Sequence, residues 1–126
     1  MYRLTVRDHM MIAHSLPHPA FGPAQQLHGA TYVVELAIDR AELGEKGIVI
    51  DIGEATGLLR DALADLDYTN LDDHPELAGV LTTTETLARV VAERVAGRLP
   101  AGTYAGLEVT LREHPDAWAT YSLPLS

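Results

Sequence analysis

The sequence predicts a single α+β domain over residues 1–126, in which an antiparallel sheet carries two helices on one face. Segments with strand-like patterns occur as a pair at each end of the chain. Two segments with apolar residues at helical spacing lie between these pairs. The resulting order, β-β-α-α-β-β, groups the helices together, and this grouping favours helices packed on one side of an antiparallel sheet.

The first two strands are predicted from their side-chain patterns. Residues 2–7 alternate apolar and polar side chains with period two, and the strand is expected to continue to His14. A loop rich in proline and glycine follows, and residues 31–38, TYVVELAI, then have the β-branched and aromatic composition of a second strand. If the two strands form a long hairpin, His14 and His28 lie side by side at one end of it.

Two helices are predicted from the middle of the chain. The first follows residues 47–52, with Asp51 as its N-cap, and its apolar residues are Ala55, Leu58, Leu59, Ala62, Leu63 and Leu66. After a loop over residues 67–74, Thr82 and Glu85 have the spacing of a capping box at the start of the second helix.

The second helix and the last two strands complete the predicted fold. The apolar stripe of the helix is Leu87, Val90, Val91 and Val95, and Gly97 with Pro100 ends it. Residues 107–111 and 117–121 then form two strands joined by a turn at Pro115 and Asp116.

The composition restricts the class of protein. With 47% hydrophobic and 21% charged residues, the chain resembles ordinary soluble globular proteins. Its net charge of −9 argues against binding to nucleic acid, since no basic patch is available. The absence of cysteine excludes disulfides, thiolate nucleophiles and cysteine-ligated zinc. No apolar run is long enough to span a membrane and no signal-peptide core is present, so a cytoplasmic protein is expected.

Two histidines at the end of a hairpin are candidate zinc ligands. A catalytic zinc normally takes three protein ligands, however, and His14 with His28 supplies only two. Because side chains alternate along a strand, a second ligand from the strand of His28 would come from position 30, which is Ala30. Partly exposed histidines without a metal are the alternative interpretation.

Three other histidines are candidates for the third ligand. His9 lies five residues before His14, so only a β-bulge between them would turn both side chains to one face. His18 in the following loop and His114 beside Glu113 are further options. A two-histidine site completed by water also remains open.

Six motifs in order carry a resemblance to a known family: MIAHSLPH, LHGATY, GIVIDI, LDYTNLDD, TTTETLA and LREHPDAWATY. Over residues 10–121 the chain resembles the 6-pyruvoyl-tetrahydropterin synthase and 6-carboxytetrahydropterin synthase family. The resemblance implies the tunnelling fold (T-fold), in which subunits join edge to edge into a barrel ring and two rings stack as a homohexamer. It also implies active sites between subunits.

The resemblance assigns metal and catalytic positions, and several are changed. His14 matches the first zinc histidine and His28 the first histidine of the family's His-Gly-His motif, whereas Ala30 stands at the third ligand. Ala24 occupies the position of the cysteine used by members with the usual activity. Asp67 matches the aspartate of a catalytic Asp–His pair, and Tyr68 replaces the histidine. Alternatively, Asp67 is a loop residue and Tyr68 packs at a helix end.

The resemblance also assigns a substrate pocket. Glu113 matches the glutamate that anchors the pterin, and its carboxylate can accept hydrogen bonds from an amide N–H and the adjacent exocyclic amine. Thr83 and Glu85 match residues at the helix start near this pocket. The alternatives are a surface glutamate at position 113 and, for Trp118, burial at an interface or a place at the pocket border.

Two functions are compatible with these residues. The first is a divergent enzyme of this superfamily, a zinc-assisted lyase or isomerase that acts on a pterin or another small hydroxy or carbonyl compound but does not perform the standard synthase reaction. Loss of the cysteine and of one zinc ligand supports the divergence. The second is a non-catalytic binding or assembly protein that keeps the pocket. The expected partners are a small molecule and other copies of the chain, as a trimer or hexamer.

Overall fold

The computed structural model describes residues 1–125, which form a five-stranded sheet with two α-helices on one face. The elements are β1 (Tyr2–His14), β2 (His28–Arg40), α1 (Ile52–Leu63), β3 (Thr69–Asn70), α2 (Thr84–Ala96), β4 (Gly106–His114) and β5 (Ala117–Pro124). Short 3₁₀ helices cover Pro19–Gln25, Leu71–Asp73 and Pro75–Leu77. The strand order is β3-β1-β2-β4-β5. The predicted fold class is confirmed; the unpredicted element is β3, two residues paired in parallel with β1.

The β1–β2 hairpin is paired without interruption over its whole length. Its register runs from Tyr2 opposite Arg40 to His14 opposite His28. Side chains therefore alternate strictly between the two faces of the sheet. Met10 is completely buried under the helices, whereas its neighbour Met11 is exposed on the other face.

The two helix starts differ in how well the sequence predicts them. Asp51 caps α1 as predicted, since its side chain accepts a hydrogen bond from the backbone N–H of Glu54 at 3.0 Å. The capping box predicted for α2 is wrong. Thr83, and not Thr82, is the N-cap, and it accepts from the N–H of Thr86. The Thr82 side chain is instead buried against His14.

The core lies between the sheet and the helices, while the opposite face of the sheet is polar. Buried leucine, valine and isoleucine side chains of β2 and β4 meet those of α1 and α2. On the helix-free face, Arg7 and Arg112 both pair with Glu35, at 2.6 and 3.0 Å. Exposed ion pairs of this kind contribute about 1 kcal/mol or less each, so apolar burial dominates the stability of the sheet.

The β4–β5 hairpin contains an irregularity that bears on the site. Its turn lies at Pro115 and Asp116 as predicted. Arg112 pairs with Trp118 and His114 with Ala117, so Glu113 is an extra residue of β4 with no partner in β5. A bulge of this kind redirects the side chain that it carries.

Within residues 1–125, no helix has the length and apolar character needed to cross a membrane.

Candidate active site

His14 and His28 come together at the end of the β1–β2 hairpin. They are the last pair of the hairpin, and their ring centroids lie 4.6 Å apart with the ring planes at 59°. His14 is only 2% exposed and His28 is half-buried. The predicted juxtaposition of the two rings is confirmed.

Each imidazole forms a hydrogen bond through its Nδ1. The His28 Nδ1 lies 2.8 Å from the backbone carbonyl of Gln26, which can only accept, so Nδ1 carries a proton. The His14 Nδ1 lies 2.9 Å from the Thr82 hydroxyl. Burial, with a further contribution from His28, lowers the pKa of His14 below its ordinary value. His14 is therefore neutral at pH 7, the form that can accept a proton or bind a metal.

The residues of one chain do not fit a three-ligand zinc site. Within residues 1–125, no group of three or more histidine, aspartate or glutamate side chains is arranged to hold a metal ion. Ala30 shares the face of His28 and lies opposite Ile12. Two imidazoles are thus next to a methyl and an apolar side chain where a third donor would be required.

The other histidines do not complete the ligand set. His9 as third ligand stays a prediction that the described residues do not support, because the uninterrupted register leaves no bulge and turns its side chain to the opposite, exposed face. The Nδ1 of His18 accepts from the N–H of Ala20 and caps the 3₁₀ helix. The Nδ1 of His114 accepts from the N–H of Asp116 in the β4–β5 turn.

A second group of polar side chains lines a cleft of about 490 Å³ between the start of α2 and the β4–β5 hairpin. Glu113 projects from the bulge, and its Oε2 accepts a hydrogen bond from the Thr84 hydroxyl at 3.2 Å. Glu85 and Trp118 also line the cleft, so Trp118 borders the pocket and is half exposed. The Arg112 guanidinium covers one face of the Trp118 ring at 4.1 Å.

Of the two residues predicted at the helix start, one lies in the cleft. Glu85 lines it, whereas Thr83 uses its hydroxyl to cap α2. Its neighbour Thr84 provides the hydroxyl that contacts Glu113. The place of Thr83 near the pocket stays a prediction; its hydroxyl caps α2, directly beside the residue that contacts Glu113.

The histidine pair and the cleft are neighbouring parts of one region. The charge of Glu113 is close enough to oppose the lowering of the His14 pKa. Along β2, alternate residues His28, Ala30 and Tyr32 share one face. Tyr32 is completely buried, and Glu113 and Glu85 both act electrostatically on its phenol. The space beside Ala30 therefore lies between the two imidazoles and the Glu113 cleft.

Asp67 and Tyr68 lie near β3, at the edge of the sheet opposite β5. The Asp67 carboxylate accepts from the N–H of Met11 at 2.8 Å, and the Tyr68 N–H donates to the Met11 carbonyl. Tyr68 has a positive φ of 58° and its side chain is 79% exposed. The residues precede β3, which is three strand spacings, about 14 Å, from β4. Within one chain, they are not brought to the cleft that holds Glu113.

Sequence reasoning missed Thr82, Thr84 and Tyr32. The spacing of Thr82 and Glu85 predicts a helix cap, which is the common role of a threonine three residues before a glutamate. The pattern around Tyr32 predicts only a strand residue, since a tyrosine in a strand is ordinary. Only the packing of α2 against the sheet shows that these side chains surround the candidate site.

Replacing Ala30 by histidine should create a zinc site. The new imidazole would share the face of His28 and give the three-histidine set that tetrahedral catalytic zinc requires. After dialysis against a mild chelator, Ala30→His is expected to retain about one zinc per chain by elemental analysis, and the wild type much less. Thr31→His, on the opposite face of β2, is the matched control and should behave like the wild type. Stoichiometric zinc in the dialysed wild type would show that His14 and His28 bind zinc tightly without a third histidine.

Comparison with known proteins gives a consistent result. The family model described as 6-pyruvoyl tetrahydropterin synthase matches residues 3–124. The chain is 26% identical to the 6-carboxy-5,6,7,8-tetrahydropterin synthase of Bacillus subtilis over 126 residues, which cover 95% of this chain and 84% of the relative. It is 32% identical to the 6-pyruvoyl tetrahydrobiopterin synthase of Dictyostelium discoideum over 103 residues, 80% and 74% of the two chains.

The fold is also shared with solved structures. The 6-pyruvoyl tetrahydropterin synthase of Caenorhabditis elegans superposes with a TM-score of 0.83 at 22% identity, over 95% of this chain and 94% of that one. The Plasmodium falciparum enzyme gives 0.81 at 17% identity, over 98% of each chain. The structural match shows the T-fold, and the family match covers nearly the whole sequence. The chain belongs to the 6-pyruvoyl tetrahydropterin synthase family.

Proposed function

We propose that the protein is a divergent pterin-synthase-like lyase or isomerase that binds a pterin, or a small molecule with the same hydrogen-bonding edge, through Glu113. The observation that carries the proposal is the place of the Glu113 carboxylate in the cleft, where it accepts a hydrogen bond from Thr84 and has no partner in β5. A carboxylate with one oxygen held by a hydroxyl retains lone pairs on both oxygens. It can therefore accept two parallel bonds from the amide N–H and exocyclic amine of a pterin.

The surroundings of Glu113 suit a flat heterocycle with a polar side chain. Trp118 offers an aromatic surface at the border of the cleft. The two imidazoles lie beyond Ala30, and each ring has a nitrogen that is not engaged by the hydrogen bonds described above. A ligand anchored at Glu113 would extend its side chain toward these nitrogens, which could accept protons from it.

The chemistry at the side-chain end differs from the standard reaction. The family resemblance implies a cysteine and a third zinc ligand in members with the usual activity, whereas this chain has Ala24 and Ala30 at those positions. His14 and His28 would hold a metal only together with a donor from the substrate or another subunit, so no step is assigned to zinc. The proposed reaction is proton transfer next to a carbonyl, leading to isomerisation or to cleavage of a carbon–carbon or carbon–oxygen bond.

Asp67 and Tyr68 fit this proposal only in an assembly of several subunits. Tyr68 is exposed at the side of the sheet opposite β5, so it is available to a ligand bound by another copy. We propose that these two residues move protons at a neighbouring subunit's cleft, in a trimer or hexamer like the one the family resemblance implies. The edge of β5, which pairs only with β4 within residues 1–125, supports such an assembly.

Pterin binding is expected to depend on Glu113. Saturating neopterin should raise the Tm of the wild type, because a ligand that binds only the folded state stabilises it. Glu113→Gln should remove most of this shift, since its amide NH₂ would oppose a ligand donor. Glu93→Gln, on the exposed surface of α2, is the control. A pteridine-2,4-dione, which presents a carbonyl in place of the exocyclic amine, should give no shift with the wild type, because that carbonyl would oppose a carboxylate oxygen. An unchanged shift in Glu113→Gln would refute the anchor assignment.

The standard products are not expected. With the substrates of the two curated relatives, purified protein should form neither 6-pyruvoyl- nor 6-carboxytetrahydropterin, while those relatives serve as positive controls. Proton exchange into a bound pterin, followed by NMR in D₂O, should occur and should decrease by about a hundredfold or more in a His14→Ala variant, in the range for loss of a general base. Absence of any exchange would favour the alternative function, a non-catalytic binding or assembly protein.

The proposed sharing of sites predicts self-association. Multi-angle light scattering should give the mass of a trimer or hexamer. In a single chain, Asp67 and Tyr68 lie about 14 Å from β4, so they can act at a Glu113 cleft only if that cleft belongs to another copy. Replacing Thr120 on β5 by proline should reduce that mass, since proline removes a backbone donor from the strand. A monomeric wild type with full activity would overturn the role proposed for Asp67 and Tyr68.

A further inference from the structure

The Tyr32 hydroxyl is an unusual feature beneath the Glu113 cleft. Tyr32 is completely buried in β2, and its hydroxyl is the buried side-chain group that lacks a hydrogen-bond partner within residues 1–125. Leaving a buried hydroxyl unpaired is costly, and a phenylalanine would avoid this cost. A tyrosine at this position therefore calls for a hydrogen bond to the hydroxyl.

The surroundings of the hydroxyl point to Thr84 and Glu113. Burial raises the pKa of Tyr32 to about 12, with Glu113 and Glu85 adding to the effect, so the phenol keeps its proton at neutral pH. The Thr84 hydroxyl is near enough to oppose this rise, although it is not positioned to form a regular hydrogen bond with the phenol. Thr84 in turn donates to the Glu113 carboxylate.

The last paired residues of β2 and β4 are Val33 and Arg112. Tyr32 and Glu113 are the next residues of these two strands, so the backbone places them close together. Thr84 is the first residue of α2, and its hydroxyl is close to both the Glu113 carboxylate and the Tyr32 phenol. A hydroxyl can donate one hydrogen bond and accept others. If Tyr32 donates to Thr84, the single proton of Thr84 is directed at Glu113.

We propose that Tyr32 is a positioning residue for ligand binding: its hydroxyl donates to Thr84 when Glu113 holds a ligand, and so fixes the orientation of the Thr84 hydroxyl and of the carboxylate. Tyr32 is completely buried, so it acts through Thr84 and does not touch the ligand. The inference rests on the proposed role of Glu113 as the anchor.

A double-mutant cycle with neopterin as the probe tests this chain of hydrogen bonds. Tyr32→Phe should weaken neopterin binding about threefold to tenfold, which is the effect of one net hydrogen bond. It should leave the Tm without ligand unchanged or slightly higher. Thr84→Val should also weaken binding, and adding Tyr32→Phe to it should cause no further loss, because the two residues act in series. Tyr104→Phe is the matched control, since Tyr104 is a buried tyrosine packed near Arg40 at a separate site.

The outcomes separate this inference from the proposed function. If Glu113→Gln abolishes binding while Tyr32→Phe binds like the wild type, only the role of Tyr32 is wrong. Independent, additive losses from Tyr32→Phe and Thr84→Val would also refute it, as would a lower Tm for unliganded Tyr32→Phe with unchanged affinity. If the wild type does not bind neopterin, or Glu113→Gln binds normally, the proposed anchor fails and the inference fails with it.

Discussion

The uninterrupted pairing of β1 with β2 is the constraint on which the rest of the site depends. Thirteen consecutive pairs leave no freedom of register, so the face on which each side chain lies follows from its position in the chain. This pairing places the His14 and His28 rings 4.6 Å apart, buries Met10 and exposes His9. It also puts Ala30 on the face of His28. The same regularity that brings two imidazoles together therefore keeps a third one away.

The β4–β5 hairpin contributes to the site by the opposite means, a local break in regular pairing. Glu113 continues the alternation that keeps Leu111 in the core and Arg112 on the polar face, so it lies on the helix side of the sheet, and the register shift leaves it without a partner in β5. The carboxylate consequently meets the start of α2, where Thr84 donates to it. The positive end of the helix dipole also favours a negative charge there. The regular β1–β2 hairpin thus holds the two histidines, and the irregular β4–β5 hairpin holds the proposed anchor, Glu113.

Much of the fold and part of the site could be predicted from local pattern. The strand containing Met10, the helix capped by Asp51 and the turn at Pro115 each depend on neighbouring residues, so periodicity and turn chemistry were sufficient. The start of α2 was misplaced because Thr82, Thr83 and Thr84 are chemically alike, and only the contact of Thr82 with His14 decides which of them caps the helix. The two-residue β3 has no pattern long enough to detect.

The sequence by itself determined the β-β-α-α-β-β order, the pairing of His14 with His28 and the absence of cysteine, because each follows from residue identity and short-range periodicity. The tertiary structure decided what surrounds these residues. It turned His9 away, separated Asp67 and Tyr68 from Glu113 by two intervening strands, and placed the Tyr32 hydroxyl under Thr84. These relations join residues far apart in the chain. They arise from the strand order, the β4 bulge and the packing of α2 on the sheet. The energies of these features depend on packing between elements and not on any local motif.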